Sequence, residues 1–137
     1  MFLFISTSGQ AQIKTPENTM DQFVRFKKKE KFLPEQSYPG IADSTIKSIL
    51  TENVNKAAND FLTLAKTERA TEKDYQDKTR VALNRFAGIY IKIDTEDRER
   101  ICLYFEELMD IVGIESSGGA LNIFMYGFDP TKIKPTK

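Results

Sequence analysis

The stretch DSTIKSILTENVNKAANDFLTLA, residues 43–65, decides the fold. Its apolar side chains Ile46, Ile49, Leu50, Val54, Ala57, Phe61, Leu64 and Ala65 recur every three or four residues, which is the repeat of one face of an α-helix. Asp43 or Ser44 supplies a side-chain oxygen for the first free N–H groups. Between the apolar positions, Asn53, Asn55 and Asn59 are mediocre helix formers and are expected to face water. A long helix with one apolar stripe needs other elements to cover it. Both flanks of the sequence offer them.

Upstream, Thr15-Pro16-Glu17 reads as a helix start, with Thr15 as cap, Pro16 at the first helical position and an acid at the positive end. Met20, Phe23 and Val24 are expected on its inner face. The helix runs into Arg25 to Lys31, where cations suit a C-terminal turn. Pro34 and Tyr38-Pro39-Gly40 mark an irregular connection. Downstream, Thr71-Glu72-Lys73-Asp74 has the form of a capping box. Tyr75, Ala82, Leu83, Phe86, Ile89, Tyr90 and Ile93 follow at helical spacing, so this third helix is expected to pass Gly88 and reach Ile93. A fourth helix starts at Asp94 or Thr95, carries Ile101, Tyr104, Phe105, Leu108, Ile111 and Val112 on one stripe, and stops at Gly113. After the joint Ser116-Ser117-Gly118-Gly119 comes Ala120 to Phe128, apolar on nearly every side, which periodicity alone leaves open between helix and strand.

The expected architecture is therefore all-α: a single-domain bundle of about four main helices plus a short C-terminal apolar element. The domain spans residues 15–130. Residues 1–14 are read as disordered or as the remnant of a secretory signal, and 131–137 as a basic frayed tail. Short connections favour antiparallel neighbours and an up-and-down arrangement.

Composition restricts the chemistry. The 137 residues include no histidine, no tryptophan and one cysteine, Cys102. Ser-His-acid and Cys-His nucleophile systems and His-ligated zinc cannot be assembled from this chain alone. A single cysteine allows no internal disulfide, and its place in an apolar stretch marks it as a small buried hydrophobe. Twenty basic and twenty acidic residues balance to a net charge of zero, which disfavours a dedicated nucleic-acid binder. No stretch approaches the length of apolar sequence that a membrane span needs. Met1 to Ile5 is apolar and Ser6 to Gln12 is small and polar, as at the end of a secretory signal. Read that way, the protein is periplasmic or secreted; read as an ordinary terminus, it is cytoplasmic.

Several residue groups carry possible chemistry. Glu106 and Asp110 are four apart and share a helix face, with Glu107 beside them. Such carboxylates can bind a hard cation or act as acid and base, although Arg98 and Arg100 interleave with the acids upstream and a solvated face is the simpler reading. Arg25, Lys27, Lys28 and Lys29, flanked by aromatic residues, form a candidate anionic contact. Gly118-Gly119 has no phosphate-loop pattern around it and reads as a turn. Ser44-Thr45-Ile46-Lys47 fits Ser-x-x-Lys by spacing alone. Leu121, Phe124, Met125 and Tyr126 form a candidate protein contact, because a short segment with no polar face cannot turn every side chain inward.

The segment DTEDRERICLYFEELMDIVGIESSGGALN, residues 94–122, resembles the end of a small uncharacterised bacterial helical family of Bacteroidetes type, carried as a domain of unknown function. The resemblance implies a single helical domain over residues 17–130, and no activity. The residues favour a non-enzymatic protein-interaction domain, with inhibitor- or immunity-like binding as one version and another protein as the partner. Two alternatives belong to other classes: a histidine-free hydrolase or metal-binding enzyme using Glu106, Glu107 and Asp110, and a carrier of a small apolar ligand. No cofactor is expected.

Overall fold

In the computed structural model, residues 12–13 and 15–132 are described, and they form five α-helices: α1 (Thr19–Lys28), α2 (Ser44–Thr67), α3 (Glu72–Asn84), α4 (Thr95–Val112) and α5 (Ala120–Tyr126). Among the described residues there is no strand, only isolated bridges pairing Gln12 with Thr71 and Glu35 with Tyr38. The all-α domain of four main helices and a short fifth is thus observed. Central α2 packs against α1, α3 and α4, while α5 lies on α3 and α4.

The side chain of Asp43 caps α2, accepting from the N–H groups of Thr45 and Ile46 at 2.9 and 3.1 Å. Leu50, Val54, Ala57, Ala58 and Phe61 are then fully buried, each large one contributing about 1.5–3 kcal/mol of transfer free energy. Asn59 is exposed as expected, but Asn53 is buried. It faces the end of α3, where its Nδ2 donates to the Arg85 carbonyl at 3.4 Å. A polar side chain is tolerated there because that carbonyl is free at a helix terminus.

Three expectations need correction. Helix α1 begins at Thr19, not Pro16: Asn18 occupies the cap position in a left-handed conformation (φ 63°) without a side-chain cap, and the Thr19 hydroxyl donates to the Pro16 carbonyl. The inner face is Thr19, Phe23 and Phe26, whereas Met20 and Val24 are exposed. The two phenylalanines outweigh the smaller apolar side chains in choosing which side turns inward. Helix α3 ends at Asn84 rather than Ile93. Beyond it, Arg85, Phe86, Ala87, Ile89, Tyr90, Lys92 and Ile93 each donate to the carbonyl three residues back. This tighter winding has three residues per turn, so steps of three such as Leu83, Phe86 and Ile89 keep facing the core without an α-helix. Arg98 clips the end of the segment, its Nη2 donating to the carbonyls of Tyr90 and Ile93 at 2.9 Å each.

The boundary at Thr15 also meets an extra contact. Ile13 donates to the Ala70 carbonyl at 2.8 Å and packs on the core. The remainder of the expected leader, residues 1–11, lies outside the described residues, as do Lys14 and 133–137.

Candidate functional site

Helix α5 starts where Gly118 and Gly119 both take positive φ, 67° and 85°, a conformation open to glycine at little expense. Ser117 Oγ accepts from the Leu121 N–H at 3.3 Å, and Gln76 of α3 reaches the Ser116 carbonyl at 3.1 Å. With its start thus fixed, α5 turns Ala120 and Phe124, one turn apart, into the core. Phe124 joins the rings of Phe86, Tyr90 and Phe128 at centroid separations of 5.8, 5.2 and 5.2 Å. The Tyr90 hydroxyl donates to the Phe124 carbonyl at 2.6 Å.

Of the expected protein contact, Phe124 is withdrawn by this packing, since it has no exposed surface. Leu121 and Met125 are half-buried. Tyr126 stands 77% exposed, and Ile123 of the same apolar segment is 54% exposed. Beside Ile123 lies a mainly apolar cavity of about 280 Å³ lined by residues including Leu83, Ala120, Phe124 and Phe128, with Arg80 and Lys132 among the polar ones.

The basic run of α1 and the acidic face of α4 meet each other. Lys29 binds both carboxylate oxygens of Glu107 at 2.7 and 2.8 Å, and Lys27 donates to Asn59 Oδ1 at 2.6 Å. Arg25 and Lys28 remain exposed. Two of the four residues of the candidate anionic contact are therefore engaged within the chain. Lys31, from the same run, is fully buried; its Nζ donates to the carbonyls of Phe26 and Lys29 at 2.6 and 3.0 Å and sits 4.5 Å from the Phe26 ring centroid. It closes the C-terminal end of α1, where a cation is favoured. Burial, with the Lys29 charge adding to it, lowers its pKa to about 8.

Glu106 and Asp110 face outward while Glu107 is taken by Lys29. Among the described residues no group of three or more Asp, Glu, Cys or His could hold a metal ion. Ser44 and Lys47 do not form a dyad by their contacts: Lys47 pairs with Glu30 at 2.9 Å. Cys102 is buried against α5, and burial first, then Glu106 and Glu99, pushes its thiol up to about 12, which opposes the thiolate a nucleophile needs.

A groove runs between residues 29–35 and α4, a cavity of about 330 Å³ lined by Leu33, Leu103 and Tyr104 with a charged rim. Its loop is tightly held. Phe32 is buried at φ 62° and donates its N–H to the Tyr104 hydroxyl at 2.8 Å. Glu35 and Tyr38 exchange backbone hydrogen bonds of 2.9 and 2.6 Å. The Tyr38 hydroxyl bonds Asp97 Oδ1 at 2.8 Å, and the Arg100 guanidinium lies 4.5 Å over the Tyr38 ring. Burial raises the pKa of both Tyr38 and Asp97. Neither Leu33 nor this groove was marked by periodicity.

Comparison with known proteins adds a family. A family model described as "Domain of unknown function (DUF4844)" matches residues 14–129. The chain is also similar to the crystal structure of a DUF3571 family protein from Acinetobacter baumannii AYE, with 32% sequence identity and a TM-score of 0.73, over 80% of this chain and 89% of that one. No curated protein matches the chain. The resemblance to a domain family of unknown function is thereby shown. No helix among the described residues is long and apolar enough to cross a membrane.

Proposed function

Because the chain belongs to the DUF4844 family, whose description names no activity, its role has to be read from its surfaces, and we propose that it is a non-enzymatic protein-interaction domain whose contact face is the outer side of α5. The observation that carries this reading is the exposure of Ile123, which lines the apolar cavity, together with that of Tyr126, on a helix whose inner side is already committed to the core. Tyrosine and large apolar side chains at a cleft are common interface material. The partner presents an apolar or aromatic side chain to the cavity and covers Ile123. Blocking another protein, as inhibitor and immunity proteins do, is one form that such binding takes.

The cavity also bears on the carrier alternative. At about 280 Å³ it sits just below the usual range of small-molecule pockets, roughly 300–1,000 Å³. That size favours a single protruding side chain over an enclosed ligand.

The test is site-specific photo-crosslinking in the native organism. A photoreactive residue at Tyr126 is expected to capture a defined partner, and Ile123→Asp is expected to abolish that capture while leaving the circular dichroism spectrum unchanged. Capture that persists in the Ile123→Asp protein would overturn the reading.

A further inference from the structure

We propose a second binding site, independent of α5: the groove between residues 29–35 and α4 docks a basic segment of a partner protein that carries one leucine-sized side chain among its cations. The floor of the groove holds a small apolar patch within a lining that is otherwise polar. Leu33 and Leu103, contributed by the loop and by α4, are 39% and 47% exposed and line the same cavity beside Tyr104. Scattered exposed leucines are ordinary, but two that open into one cavity form an anchor point. A cavity of about 330 Å³ has room for a side chain or two, not for a helix.

The rim decides the occupant's charge. Five carboxylates, Glu30, Glu35, Glu106, Glu107 and Asp110, line the cavity against two cations, Lys29 and Arg100. Three of the five are held in ion pairs: Glu30 by Lys47, Glu35 by Arg100 and Glu107 by Lys29. Glu106 and Asp110 have no ion pair among the described residues. They lie one helical turn apart, with Leu103 almost one turn before Glu106, so a leucine seated on Leu103 brings flanking lysines or arginines within reach of both carboxylates. The excess negative charge repels an acidic peptide or a nucleic acid. The Leu33–Leu103 patch adds an apolar contact that a bare polycation cannot make.

The groove is also rigid. The hydrogen bonds of Phe32 to Tyr104, Glu35 to Tyr38 and Tyr38 to Asp97, together with that of Ile41 to the Phe32 carbonyl at 3.1 Å, keep the loop from folding over the leucines. A site fixed in advance loses less conformational entropy on binding.

Titration of the full-length, nitrogen-15-labelled protein with a short lysine-rich peptide carrying a single leucine (the Lys/Leu peptide) tests this, with the matching glutamate-rich peptide (the Glu/Leu peptide) and spermine as parallel probes. The Lys/Leu peptide is expected to shift amides in 29–35 and 99–110 and to leave α5 unshifted. The side chain of Leu103 is half in solvent, so Leu103→Ser should keep the fold and weaken the peptide roughly tenfold, the loss of one leucine contact. Paired Glu106→Lys and Asp110→Lys should weaken it at least as much. The Glu/Leu peptide should not bind. Shifts that appear elsewhere, an affinity unchanged by Leu103→Ser, or spermine that matches the peptide would each overturn the proposal.

Discussion

Lys31 buries an ammonium group that two backbone carbonyls and the Phe26 ring satisfy, without a carboxylate bonded to it. Its pKa of about 8 lies below the ordinary 10.5, so between these values the unfolded chain holds more protons than the folded one. Stability then rises with pH through that window and falls again as pH drops toward 8. The urea stability of the native protein relative to Lys31→Met is expected to increase from pH 8 to 10; a constant difference would refute the assignment. Cys102 and Tyr75, both raised to about 12 mainly by burial, act in the opposite sense and lose stability as pH rises above 9 and 10, but they are common to both proteins and cancel. Tyr104→Phe removes the acceptor of the Phe32 N–H, and an orphaned buried donor is expected to lower stability by about 1–3 kcal/mol. Leu108→Ala should lose roughly 2–5 kcal/mol, whereas Glu107→Ala, which breaks only a half-exposed pair with Lys29, should lose about 1 kcal/mol or less. Equal losses in chemical denaturation would mean that the face of α4 is wrongly assigned.

The helices differ in how openly their ends are written in the sequence. At α3 and α4 the boxes are reciprocal: Thr71 and Asp74 bond each other's backbone N–H, and so do Asp94 and Asp97. Thr71→Ala and Asp94→Ala are each expected to lower stability by about 1 kcal/mol in denaturant melts. Gly113 ends α4 at φ 84°, and Gly113→Ala should lose about 1 kcal/mol as well. These ends were legible because each depends on residues adjacent in sequence. The end of α3 was not, since steps of three suit both an α-helix and the tighter winding that replaces it, and Arg98 holds only the far end of that winding. The same distinction governs the sites. The apolar character of α5 could be read from composition, but which side chains stay outside depends on where Tyr90 and Phe86 hold the helix. The acidic groove needs Leu33 and Leu103 side by side, which no local pattern announces. Asn53 was misread for the same reason, as its partner is a carbonyl at the end of another helix.

At the scale of the molecule, the described residues share one hydrophobic cluster from Phe23 to Phe124, and a shared core predicts a single unfolding transition. Circular dichroism melts should show one cooperative loss of helix, unaltered by EDTA; a chelator-sensitive or biphasic melt would contradict the core described. Gly118 and Gly119 give this unit an unusual seam. The seven residues of α5 are too few to stay helical alone, so the helix exists only while it is seated on α3 and α4. If it lifts away, the faces of Phe86 and Tyr90 that it covers become vacant, and the α5 of a neighbouring molecule fits that vacancy as well as its own does. Two molecules that trade this segment rebuild every contact of the monomer. In such an exchange the glycine joint is the hinge.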